Sequence, residues 1–121
     1  MMSEVLNMAA RLGLRVRIQY LGAAAHGIAA EYDPRSSTIL VNARVLDGEG
    51  DGSAAVDACV AHELYHHLEY LDVVPRRLGR EREALADAFA RCSFRLGIDP
   101  AEIRARLRPV SRAAGGTERA G

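Results

Sequence analysis

His62-Glu63-Leu64-Tyr65-His66 is the stretch of this chain whose residue types and spacing are best suited to chemistry. On an α-helix, residues four apart stand one above the other, so His62 and His66 can offer two imidazole nitrogens to one metal ion. Glu63 projects about 100° round the same helix. There it can take a proton from a water at the metal instead of ligating. A string of this form arises by chance in about one in a hundred sequences of this size and histidine content, so context decides.

Zinc with two protein ligands alone rarely makes a stable catalytic site, and a third is sought downstream. Glu81-Arg82-Glu83-Ala84-Leu85-Ala86-Asp87-Ala88-Phe89-Ala90 reads as a second helix. If it runs antiparallel to the first through Asp72 to Arg77, residues at equal depth share a roughly constant index sum. Glu83 then stands level with His66 and Asp87 with His62. Glu83 can ligate the metal, while Asp87 accepts a hydrogen bond from the outer nitrogen of His62 and supports that ring from behind. Glu81 competes for the ligand role, but four residues after it stands Leu85. The plainer reading makes both glutamates solvated charges on an arginine-rich helix. It weakens once the histidine motif precedes them.

The elements that must hold these residues are legible. Ser53, after the turn-rich run Asp47 to Gly52, is placed to cap a helix carrying Asp57 one turn in. Val56, Val60, Leu64, Leu68 and Leu71 recur at helical spacing and mark a core-facing stripe. His62 and His66 lie off that stripe, with Cys59 one turn earlier on their side, and no Gly or Pro interrupts the run before Pro75. Upstream, Ser3 caps a helix that Gly13 ends. A strand follows from Leu14 to Leu21, with Val16, Ile18 and Tyr20 on its buried face. Ile28 to Asp33 and Thr38 to Val41 pair across Pro34-Arg35-Ser36-Ser37. Gly97 ends the second long helix. Asp99-Pro100 starts another with Ile103 and Leu107 facing inward, and Pro109 stops it. The expected fold class is α+β, a small three-stranded sheet packed on the active-site helix and a second ligand-bearing helix. One domain spans residues 1–109, and 110–121 form a disordered tail.

H-E-x-x-H followed by E-x-x-x-D on the next helix resembles the gluzincin arrangement of the thermolysin type. Gly27 to Asp33 with Thr38 to Asn42, Ala61-His62-Glu63-Leu64-Tyr65-His66-His67, and Glu83 to Ala90 resemble the ImmA/IrrE family of small metallopeptidases, over about residues 5 to 96. The resemblance implies a zincin-like fold, Zn2+ ligated by His62, His66 and Glu83, Glu63 as general base and Asp87 in support. It also implies cleavage of a specific intracellular protein, often a helix-turn-helix repressor. Two departures bear on the cleft. Tyr65 stands where many relatives have Gly, and Cys92-Ser93-Phe94-Arg95-Leu96 replaces a Leu-Met-Pro segment.

With 121 residues, 49% of them apolar, the chain suffices for one core. Its net charge of zero argues against a nucleic-acid surface. All sixteen basic residues are arginine, as codon bias in a G+C-rich genome would give. No signal peptide or membrane span is read, and a reducing cytoplasm is the expected location. Cys59 and Cys92 make no disulfide framework and are expected as small buried hydrophobes, Cys59 lying close enough to the histidines to ligate by accident.

Two functions of different class follow. The first is a zinc-dependent metalloendopeptidase acting on a protein or peptide. The second is a non-hydrolytic, metal-stabilised regulatory or protein-binding module. Glu63 favours the enzyme, since a structural zinc site needs no base and fills its four positions with protein ligands. Small size favours the module. Manganese or iron also suits two histidines and a glutamate. His26, Tyr32, Tyr65 and His67 are candidate donors to an oxyanion, and spacing selects none of them.

Overall fold

Ser3 opens the first helix, α1 (Glu4–Arg11), by accepting from the Leu6 amide at 3.1 Å. The same hydroxyl donates to Asp57 Oδ1 at 2.8 Å, which ties the cap to the histidine helix. Gly13, at φ +76°, makes the left-handed turn after α1. The computed structural model describes residues 2–48 and 50–107. Within them the chain is mixed α+β, with four α-helices and three strands. The expected Pro109 stop and the tail at 110–121 lie outside the described residues.

The strands are β1 (Arg15–Gln19), β2 (Ala30–Asp33) and β3 (Thr38–Asn42). Their order is β1-β3-β2, with β1 parallel to β3 and β2 antiparallel to it. Asp33 pairs with Thr38 across the expected turn, where Asp33 accepts from the Arg35 amide and the Ser36 hydroxyl. Central β3 is the buried strand, and Ile39 and Val41 are fully covered.

β1 corrects the sequence reading twice. It is shorter than Leu14–Leu21, and the face expected to be buried is not: Ile18 is 46% and Tyr20 60% exposed. Alternation identifies a face but does not say whether anything covers it, and β1 is an outer strand. Only Leu14 and the half-buried Val16 reach the core at its start.

α2 (Gly52–Tyr70) runs beneath the sheet and carries the motif. Its cap is Asp51, not Ser53: Asp51 Oδ1 accepts from both the amide and the hydroxyl of Ser53. Val56, Val60 and Leu64 are buried as expected, but Leu71 lies past the helix end and is 48% exposed. The stop precedes Pro75 because Asp72 takes a left-handed conformation, φ +61°, with Val73 N donating to Leu68 O and Asp72 N to Glu69 O. Those two bonds close the helix in the manner usually supplied by glycine. α3 (Gly79–Ser93) returns beside α2 and ends before Gly97, at Phe94, whose ring packs into the core. α4 (Pro100–Leu107) buries Ile103 and Leu107 as expected, and the Asp99 carboxylate accepts from the Ala101 amide.

Candidate metal centre

Helical phase puts His62 and His66 on one side of α2, and α3 brings Glu83 opposite them. One donor atom from each of the three residues lies within 4.8 Å of the others. His62 Nε2 is 2.9 Å from Glu83 Oε1 and 3.3 Å from His66 Nε2, and Glu83 Oε2 is 3.6 Å from His66 Nε2. Both imidazoles are buried, while the Glu83 side chain is about half exposed.

The outer nitrogens decide what the inner ones can do. His62 Nδ1 meets Asp87 Oδ1 at 2.7 Å, and His66 Nδ1 meets Glu69 Oε1 at 2.8 Å. A carboxylate is an acceptor, so in the neutral rings each Nδ1 carries the proton and each Nε2 presents a lone pair. Burial pushes the His62 pKa down, against the hydrogen bond to Asp87 that raises it, and so favours the neutral ring. Two lone pairs and a carboxylate therefore converge on one point with no donor between them. That arrangement is repulsive unless a cation sits among them. Two imidazole nitrogens and one carboxylate oxygen form a donor set that fits zinc and can hold a metal ion.

Each supporting carboxylate is itself held by an arginine. Arg104 Nη1 and Nη2 reach Asp87 at 3.0 and 2.5 Å, and Arg82 Nε reaches Glu69 Oε1 at 2.8 Å. Burial would raise the Asp87 pKa, but the hydrogen bonds and charge of Arg104 and His62 outweigh it and keep the carboxyl below its ordinary range. For Glu69, too, burial is outweighed, by His66 and Arg82. Glu69 Oε2 is the one buried side-chain polar atom without a partner among the described residues.

Sequence reading identified Asp87 but missed Glu69, Arg82 and Arg104. Glu69 was within reach, since it stands three residues after His66 on the same helix face. Nothing local signals Arg104, because α4 reaches the site only through the way it docks on α2 and α3 in the folded chain.

Glu63 lies beside the cluster with Oε2 3.9 Å from His62 Nε2. Burial, followed by the charge of Glu83, pushes its carboxyl up to about 8. Cys59 is buried and lines a cavity of about 210 Å³ together with His62, Glu63 and Glu83. Its thiol is pushed up to about 12 by burial and the Glu63 charge, which disfavours the thiolate that a metal would take. Both cysteines are free, and Cys92 is exposed instead of buried because it lies on the outer side of α3.

Among the oxyanion candidates, His26 is exposed in the loop before β2. Tyr65 packs on Phe89, ring centroids 5.7 Å apart, and so fills the space between α2 and α3. Tyr32 Oη and His67 Nδ1 are 2.6 Å apart, which joins β2 to α2. Glu81 is exposed in the first turn of α3 and outside the cluster. Comparison with protein-family models, with curated proteins and with solved structures gives no match for this chain.

Proposed function

We propose that this chain is a zinc-dependent metalloendopeptidase of zincin-like architecture, acting in the cytoplasm on a specific protein such as a helix-turn-helix repressor. The observation that carries the reading is the convergence of two imidazole lone pairs and the Glu83 carboxylate beside a buried acid, Glu63, that is not one of the three converging donors. A purely structural site has no use for such an acid.

Zinc held there would supply Lewis acidity toward a peptide carbonyl and lower the pKa of a water. Glu63, whose carboxylate stands beside the cluster without joining it, is placed to accept, once ionised beside the cation, the proton of the attacking water and to return it to the leaving amine. Asp87 and Glu69 fix the tautomers of His62 and His66, so that neither ring turns a proton toward the reacting group. β2 is an outer strand and borders the groove, where Ala30 and Glu31 share a lining with Glu63, His66 and Glu83. An extended peptide can lie along that free edge and present its backbone to the cluster. No helix among the described residues is long and apolar enough to cross a membrane.

The test is hydrolysis of unfolded casein, and of any small helix-turn-helix protein encoded by an adjacent gene, by zinc-loaded protein and by Glu63→Gln. The wild type should cut, and the variant should lose about two or more orders of magnitude of rate while keeping its metal. A wild type inert on every substrate, with Glu63→Gln still performing the cellular role, would replace the peptidase by a metal-stabilised binding module.

A further inference from the structure

Beside His66, between β2 and the segment joining α2 to α3, lies a cavity of about 470 Å³ whose lining includes Tyr32, Glu69, Arg76, Arg77 and Arg82. Three arginines thus share this lining with one acidic residue. Glu69 is already committed through Oε1 to His66 and to Arg82 Nε. Arg76 donates at most to a backbone carbonyl, that of Glu69 at 3.5 Å, and neither Arg76 nor Arg77 meets a carboxylate among the described residues. Only Nε of Arg82 is engaged with Glu69, which leaves the two terminal nitrogens of its fork for another acceptor.

This cavity adjoins the groove over the cluster, and Tyr32, His66 and Arg82 line both. The groove carries Glu31 and Asp33 on its β2 side. A peptide lying across the cluster therefore passes from an acidic stretch to a basic one. An incoming carboxylate is repelled at the first and gains charge-assisted, bidentate hydrogen bonds at the second.

We propose that the Arg76–Arg77–Arg82 cavity is a subsite for a carboxylate of the substrate, so that the peptide handled at the cluster bears an acidic group on the His66 side. The inference rests on the peptidase reading for what the peptide is doing there. Binding of the carboxylate can be measured apart from cleavage.

The experiment uses zinc-loaded Glu63→Gln, which leaves peptides intact, and three acetylated pentapeptides. One has a central glutamate and an amidated end, one a central glutamine and an amidated end, and one a central glutamine and a free C-terminal carboxylate. Binding is followed by NMR at the Nε–Hε signals of Arg76, Arg77 and Arg82. The glutamate peptide should bind about tenfold tighter than the neutral one, and Arg76→Gln/Arg77→Gln should erase the difference. Both side chains are exposed, so that variant keeps its fold, and the dispersion of the same spectra verifies this. A gain carried by the free-end peptide with the same arginine dependence assigns the carboxylate to a chain end instead of a side chain. Equal binding of all three peptides, or a gain that survives in the double variant, overturns the subsite. Casein hydrolysis by wild type, read alongside, separates the two ideas. Arginine-dependent binding without hydrolysis removes only the peptidase, and hydrolysis without an acidic gain removes only the subsite.

Discussion

Arg104 grips Asp87 through both terminal guanidinium nitrogens, while Asp87 Oδ1 also accepts from His62 Nδ1. α4 is thereby tied to the candidate metal centre, although it contributes no donor to the cluster. Asp87→Asn and Arg104→Gln should each weaken zinc binding by about tenfold to a hundredfold with the fold retained. A chelator competition titration measures this. Affinities equal to wild type in both variants would reduce Asp87 to an ordinary buried helix residue.

The ligand set itself predicts metal content. Purified protein should carry about one zinc per chain and lose it in His62→Ala, His66→Ala or Glu83→Ala. Glu81→Ala should retain it, since Glu81 stands outside the cluster. Elemental analysis of the four variants decides, and unchanged metal in the first three would remove the site.

Glu63 gives the metal-stripped protein a pH signature. Its carboxyl is raised from 4.5 to about 8 by burial and then by Glu83. Between those values the folded protein keeps a proton that the unfolded chain has released. Its contribution to stability is thus present in acid and lost as pH rises through the folded pKa. With chelator present, the melting temperature of wild type should fall relative to Glu63→Gln by about several degrees between pH 5 and pH 8. Parallel melting curves across that range would show that Glu63 ionises normally.

The cysteines should react unequally. Cys59 is buried with its thiol pushed up to about 12, while Cys92 is exposed. Iodoacetamide at pH 8 should therefore label Cys92 alone in the folded protein and both residues after denaturation. Rapid labelling of Cys59 in the native state, read by mass spectrometry, would mean that α2 opens near the site.

The histidine pair and Asp87 were legible because helix periodicity and an antiparallel index sum are local arithmetic, and the 2.7 Å contact of Asp87 with His62 lies where that arithmetic puts it. The same arithmetic could not see Arg104, whose position depends on how α4 docks. Nor could it judge β1. The alternation of Val16, Ile18 and Tyr20 was correct as a pattern, but burial depends on a covering element that the strand does not encode. The cap at Asp51 instead of Ser53 is a shift of two residues, small because both side chains have the same capping chemistry and are bonded to each other.

The exposed outer strand β1 also bears on how copies of this chain meet. Among the described residues no strand pairs with its outer edge, and with Ile18 and Tyr20 exposed that edge is a template on which another extended segment can add and propagate. Arg15 and Arg17 alternate with Val16 and Ile18 along that edge. An approaching identical edge would bring its own arginines into register against them, so the repulsion of like charges guards this strand against aggregation.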